Sequence, residues 1–318
     1  MKNHVRQPES SSLRDFRADE RCRFRPLKDN GLRVVVRLTY ACDLACPHCL
    51  VESRTRDQEL DTPAWLAILA ELPRIGARKV LLTGGEPLLL GDLHVIVRSI
   101  SGMGIPVDLN SNLFSLSLPR LRELRQAGLT ELSVSLEGPR EVHDRLHGKP
   151  GAFDRCVRAI QWATGLGIQV DVACCMTGEN IDHVEQLLTI VRDLPVQSLT
   201  VSRLLPIGHA RKSRNHVPQE RLARLHDWLI QSIMSEYPLP MRLVGLLNPP
   251  KKADCLRGQS LVGIAPDGKL QGCVLAGANP TGLPHPLETG LKQSFDLLQL
   301  ALATRNYPLC WSRQAESV

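Results

Sequence analysis

The chain reads as an α/β protein: an open, partial parallel barrel of six strand–helix units, followed by a small C-terminal unit. Three observations predict this. Short runs rich in β-branched residues alternate with helix-like stretches from Leu32 to about residue 235. Gly76, Gly104, Gly128 and Gly167 fall where helix C-caps belong. A proline-rich stretch, YPLPMRLVGLLNPPKK, then interrupts the alternation. Strands separated by helices imply a parallel sheet with right-handed crossovers. Six units are too few for a closed eight-unit barrel, so the expected form is a TIM-like (β/α)6 barrel left open.

The elements follow in order. Residues 1–30 are polar, mixed in charge and without periodicity, and read as a lead-in. The barrel is expected over 31–237. Its strands are predicted at Arg33–Leu38, Lys79–Thr83, Ile105–Asn110, Glu131–Ser135, Ile168–Ala173 and Ser198–Arg203. Helices are predicted near 63–75, 92–102, 118–127, 152–165 and 181–193, with a sixth over 218–235. Prolines make 238–252 a linker. In the remaining 253–318, LVGIAPDGKLQGCVL reads as a hairpin turning at Pro266-Asp267-Gly268, and a last helix is expected near 290–304. So small a C-terminal unit makes a metal staple plausible.

Composition excludes several classes. Of 318 residues, 43% are hydrophobic and 23% charged, which sets disorder and fibres aside. The net charge of +6 admits an anionic substrate, but no dense Lys/Arg block accompanies it and aromatics are 4%, so no nucleic-acid partner is expected. No apolar run approaches the roughly 18 residues of a membrane span. The N-terminus has no signal-peptide core, so a cytoplasmic location is expected. Ten cysteines in a reducing compartment point to metal or cluster ligation rather than disulfides.

The strongest chemical signal is Cys42-Asp-Leu-Ala-Cys46-Pro-His-Cys49, directly after the first strand. Three thiolates so spaced can wrap one cubane cluster in a tight loop and leave one iron without a protein ligand. The competing reading is a zinc knuckle, which would want a fourth Cys or His; His48 is awkward because it adjoins Cys49. The second signal is Thr83-Gly84-Gly85-Glu86-Pro87, closing strand two. Its glycines permit close backbone approach to a ligand, and its glutamate can accept from an ammonium group; alone it would also serve as an ordinary turn.

Together these motifs resemble the radical S-adenosylmethionine (SAM) superfamily. The resemblance implies a [4Fe–4S] cluster on Cys42, Cys46 and Cys49, with SAM chelating the open iron. It implies reductive cleavage of SAM to methionine and a 5′-deoxyadenosyl radical that abstracts hydrogen from substrate. Gly84, Gly85, Glu86 and Pro87 would meet the SAM amino group. One departure is His48, where relatives often carry an aromatic residue near adenine. Asn110-Ser111-Asn112 and Ser135-Leu136-Glu137-Gly138 match later strand ends more loosely. Ser135 becomes a candidate for the SAM carboxylate or ribose and Arg155 for its carboxylate, although turn or capping roles compete. An electron donor of the flavodoxin or ferredoxin kind is implied as a partner.

Cys255, Cys273 and Cys310 resemble the ligands of a SPASM/Twitch extension, the shorter Twitch form with one auxiliary [4Fe–4S] cluster fitting three cysteines best. The fourth position would be an open iron, or a ligand such as His285 would complete it; three structural cysteines are the competing reading. Cys156, Cys174 and Cys175 read as packing residues, with Cys174 or Cys175 retained as candidate hydrogen-atom donors to a product radical. Cys22 receives no role. Arg203 would reach the barrel mouth or a surface ion pair, and His143 and His147 read as surface residues flanking a helix.

The expected function is radical tailoring of a small polar or anionic metabolite: a sugar, cyclitol, nucleoside or cofactor precursor. The alternative is maturation of a ribosomally made precursor peptide by crosslinking or epimerisation, although residues 1–30 look short for a folded leader-binding domain. A pure redox carrier would not need a SAM-binding motif beside an open-iron motif.

Overall fold

A computed structural model describes residues 31–51, 58–234, 237–247, 260–272 and 283–303. Cys22, Cys255, Cys273 and Cys310 lie outside these described residues.

The six predicted strands form in order: β1 (Leu32–Arg37), β2 (Ala77–Thr83), β3 (Val107–Ser111), β4 (Leu129–Ser135), β5 (Gln169–Met176) and β6 (Ser198–Arg203). Each pairs in parallel with the next. Between them lie α1 (Thr62–Leu69), α2 (Leu93–Gly102), α3 (Leu118–Gln126), α4 (Arg140–His147), α5 (Ala152–Gly165) and α6 (Val184–Arg192), with α7 (Gln219–Met234) after β6.

Strand alternation sorts the side chains into two layers. Val34, Val36, Val80, Leu82, Leu132 and Val134 belong to one hydrophobic cluster with the helices. The alternate residues of the same strands are mostly polar, with Val35 on β1 and Leu81 on β2 as buried apolar exceptions. Lys79 pairs with Glu131 across this inner face, Ser133 Oγ donates to Asp108 at 3.2 Å, and Ser198 Oγ donates to Asp171 at 2.5 Å. The concave side of the barrel is therefore lined mainly by charge and hydroxyl, and the main core sits outside it, under the helices.

Four features depart from the sequence expectation. The helix predicted over 63–75 ends at Leu69 and resumes as a 3-10 turn, Leu72–Ile75. Pro73 has no N–H for an α-helical bond, and its ring would clash with a preceding carbonyl. Helix α4 was not predicted, although Pro139 precedes it and Gly148 follows it with a φ of 65°.

The other two departures concern the C-terminal third. Within the expected linker, Met241–Val244 forms a further strand, β7, parallel to β6. The prolines flank this strand rather than interrupt it. Beyond it, β8 (Leu261–Ile264) and β9 (Leu270–Gln271) make the predicted hairpin, but β8 pairs in parallel with β1. The sheet order is β7-β6-β5-β4-β3-β2-β1-β8-β9. After the short α8 (Pro286–Thr289), α9 (Leu291–Ala303) buries Leu291, Phe295 and Leu298 in the same hydrophobic cluster as the barrel. The described part of the C-terminal unit thus continues the barrel's sheet and core, because its apolar faces are too small to be covered alone.

Candidate functional site

The site begins where β1 runs out. Past Arg37 the chain keeps its alignment with the end of β2: Leu38 N donates to Thr83 O at 2.8 Å, and Gly85 N and Glu86 N donate to Thr39 O and Ala41 O, each at 2.7 Å. This ladder delivers Cys42 to the top of the barrel. It requires the two glycines. A Cβ on Gly84 would lie 2.5 Å from Thr39 O, and one on Gly85 would sit on the Ala41 carbonyl. Gly84 also has a φ of 156°, which disfavours other residues. The close approach expected of this pair is therefore made to the cysteine loop's own backbone.

Glu86 is fully buried at 0% exposure. Its Oε1 accepts from Leu88 N and Ser111 Oγ, and its Oε2 from Asn112 N, all at 2.9 Å. Burial pushes this carboxyl up to about 7 against the three hydrogen bonds that favour its charge. A carboxylate has about four acceptor positions, so one stays open on Oε2. Pro87 starts the 3-10 turn that Glu86 caps.

The three cysteines share one loop. Cys49 N donates to Cys46 O at 3.1 Å, closing a turn, and Ala210 N donates to Cys49 O at 3.1 Å. Asn112, at the end of β3, brings its Nδ2 3.8 Å from Cys42 Sγ and 2.9 Å from Asp43 Oδ1. Burial pushes the Cys42 thiol up to about 11 and raises Cys46 further, so a bound cation must displace their protons. Around the loop, Asp43 Oδ2, His48 Nδ1 and both ring nitrogens of His147 are buried without a hydrogen-bond partner. A sulfur-rich loop with unpaired polar atoms beside it fits an iron–sulfur cluster with one open iron.

Beside it lies a buried set from the end of β4. Glu137 is 3% exposed. His48 Nε2 is 3.5 Å from its Oε1, and Cys175 N donates to its Oε2 at 2.8 Å. Burial opposes its charge, but these partners outweigh it and hold the carboxyl well below the usual range. His143 and His147, on α4, are 0% and 2% exposed and stack with ring centroids 4.0 Å apart. Burial lowers them to about 4 and about 3, so both rings are neutral at neutral pH.

A model of the radical SAM superfamily matches residues 36–191, which span β1 through α6 and contain both motifs. The chain belongs to the radical SAM superfamily. Among its relatives, the AdoMet-dependent heme synthase of Oleidesulfovibrio alaskensis is 29% identical over 176 residues, 54% of this chain and 45% of that protein. The PqqA peptide cyclase of Rhodopseudomonas palustris is 29% identical over 268 residues, 80% of this chain and 70% of that protein. In fold, the chain is similar to Streptococcus suis SuiB bound to the precursor peptide SuiA, with a TM-score of 0.73 at 17% identity, over 86% of this chain and 66% of that one. The match thus spans less than half of the heme synthase relative and about two thirds of SuiB.

In this radical SAM chain the sequence-predicted residues divide. Cys42, Cys46, Cys49 and Gly84–Pro87 converge at the C-terminal ends of β1 and β2. Ser135 ends β4 on the inner face, half-buried. Arg155 is exposed: its guanidinium donates to Phe114 O at 3.1 Å and lies over the Phe114 ring at 4.7 Å. Arg203 is half-buried and donates to Gln219 Oε1 at 3.0 Å.

Three expectations are corrected. His143 and His147 are not surface residues, because Val142 with Leu146 and His143 with His147 form i,i+4 pairs that α4 turns inward. Cys174 is 1% exposed and packs in the helix-side cluster, so only Cys175, on the opposite face of β5, lies on the inner side. His285 uses both ring nitrogens locally, Nε2 against Asp267 O at 2.6 Å and Nδ1 accepting from Leu287 N at 3.1 Å, which leaves none for iron. Cys156 is buried as expected and donates to Ser135 O at 3.6 Å.

Sequence reasoning missed Thr39, Glu59 and Gly208. Thr39 Oγ1 donates to Glu59 Oε2 at 2.9 Å and Tyr40 N donates to Glu59 Oε1 at 2.6 Å, pinning the start of the cysteine loop. Gly208 packs on the backbone of Cys49 and Leu50, where a Cβ would lie 2.9 Å from Cys49 O. Neither contact has a local signature, since the partners are far apart in sequence.

Proposed function

We propose that Cys42, Cys46 and Cys49 hold the superfamily's [4Fe–4S] cluster, and that the chain directs the resulting radical to a ribosomally made peptide. The observation that carries the peptide reading is the long match to a peptide cyclase, over 80% of this chain. The likeness to a structure holding a precursor peptide supports it. Bound at the loop, the cluster and SAM supply one-electron cleavage of the SAM carbon–sulfur bond, giving methionine and a 5′-deoxyadenosyl radical.

This chain's residues do the rest. The open acceptor position on Glu86 Oε2 takes the SAM ammonium group, while three hydrogen bonds hold that carboxylate still. Asn112 keeps Asp43 and Cys42 in register. Ser135 and Cys175, on the inner face, border the space above the barrel where substrate is placed. The electron comes from a flavodoxin- or ferredoxin-like donor in the cytoplasm. Cys255, Cys273 and Cys310 hold an auxiliary cluster, a reading supported by their number and by the hairpin that lies between the first two.

A small polar or anionic metabolite is the second reading, supported by the match to a heme synthase and by the net charge of +6. The test is anaerobic turnover with SAM and reductant, with short peptides encoded beside the gene in one arm and sugars, nucleosides and porphyrins in the other. A peptide that raises 5′-deoxyadenosine output and changes mass supports the first reading. Stimulation by the metabolites alone overturns it.

A further inference from the structure

His147 is held for a purpose that none of its protein neighbours explains. It is 2% exposed, and among the described residues it is the side chain with two buried polar atoms lacking partners. Each such atom costs about 1–3 kcal/mol when buried without a hydrogen bond. The ring is nevertheless fixed. It stacks on His143 with centroids 4.0 Å apart, and His143 is itself anchored because its Nδ1 accepts the Glu137 N–H at 3.2 Å. Phe153 packs against His143 with its ring turned 76° to the imidazole and the centroids 6.0 Å apart. A preset, unsatisfied imidazole signals a partner that arrives later.

The surroundings indicate which partner. A nitrogen of His147, a nitrogen of His48 and Cys46 Sγ all lie within 4.8 Å of one another. His48 is engaged with Glu137, whereas His147 makes no hydrogen bond. A neutral imidazole has one N–H to give and needs an acceptor. The acceptor that appears at this position on cluster assembly is anionic sulfur. Donors to cluster sulfur stabilise the added electron of the reduced form and so raise the reduction potential.

We propose that His147 is a positioning residue that donates its ring N–H to sulfur at the Cys46 corner of the assembled cluster and raises the cluster's reduction potential. The inference rests on Cys46 being a cluster ligand. It assigns α4, absent from the predicted elements, the task of setting how readily the cluster accepts an electron.

The test uses anaerobically reconstituted full-length protein with the variants His147→Leu and His147→Gln. Iron per chain is measured first. The electron paramagnetic resonance signal that changes on adding SAM is then followed through a reductive titration. His147→Leu should retain iron and the SAM-sensitive signal. Its reduced-to-oxidised ratio at a fixed potential should fall about tenfold, which for one electron is about 59 mV. His147→Gln keeps an N–H and should recover most of that shift. An unchanged couple in an iron-replete His147→Leu variant overturns the inference and leaves the Cys46 assignment standing. An equal shift in both variants overturns it in favour of ring packing. If His147→Leu loses its iron, His147→Gln decides: a wild-type couple supports the inference, and loss of iron there too overturns it. The Cys46 assignment falls separately, if Cys46→Ala retains the SAM-sensitive signal.

Discussion

At the scale of single residues, the site depends on what is missing as much as on what is present. Gly85 has no side chain because the Ala41 carbonyl occupies its place. Gly85→Ala must push the cysteine loop away from β2 and break the hydrogen bonds from Gly85 N and Glu86 N. The expected result is a chain that binds less than half the wild-type iron and is destabilised by about 1–3 kcal/mol, read from iron assays and urea melts. Asp108 offers a test of charge. Burial on the inner face pushes it up to about 6, although Lys79 draws it down. Because the folded value lies above the unfolded one, its contribution is fullest below about pH 4 and is lost as pH rises to about 6, a change of about 3 kcal/mol. Asp108→Asn should therefore shrink that pH step and raise stability at pH 7. Urea midpoints at pH 4.5 and 7 check it; an unchanged step would show the carboxyl ionised throughout.

At the scale of elements, the loop after β1 is held from three directions. The end of β2 holds it through backbone bonds, β3 through Asn112, and Gly208 beyond β6 by contact. Glu59 is a fourth tie, returning from the far side of the loop to the Thr39 hydroxyl and Tyr40 N–H. Glu59→Ala removes a charged acceptor from both donors, worth about 1–3 kcal/mol each. Iron should then be lost several-fold faster to a chelator, with far-ultraviolet circular dichroism unchanged because no strand or helix includes this residue. Iron retention equal to wild type would show that the β2 ladder alone positions the loop.

At the scale of the whole molecule, the C-terminal segment completes the barrel's sheet. β8 covers the edge of β1, and α9 adds Leu291, Phe295 and Leu298 to the common core. A chain ended after Leu247 would expose the edge of β1, the strand that carries the cysteine loop. It should aggregate on expression rather than yield a soluble barrel, as size-exclusion chromatography would show; a monomeric product with bound iron would establish the first 247 residues as self-sufficient. The reconstituted full chain should hold about eight irons if both clusters form. Replacing Cys42, Cys46 and Cys49 together by alanine should leave about half and abolish 5′-deoxyadenosine formation. Formation of 5′-deoxyadenosine by that variant would overturn the assignment of the cysteine loop.

The sequence alone determined what depends on near neighbours. β-branched runs and glycine stops placed β1 to β6 and most helices, because strand and helix periodicity is written within a few residues. The cysteine spacing and the Gly-Gly-Glu-Pro segment were legible for the same reason. Tertiary structure alone decided three further matters. It brought the backbone of the cysteine loop against Gly84 and Gly85, joined β8 to β1 across more than 200 positions, and turned His143 and His147 inward. Each is a contact between segments distant in the chain. A buried histidine and an exposed one look alike until packing shows which face of the helix the core has claimed.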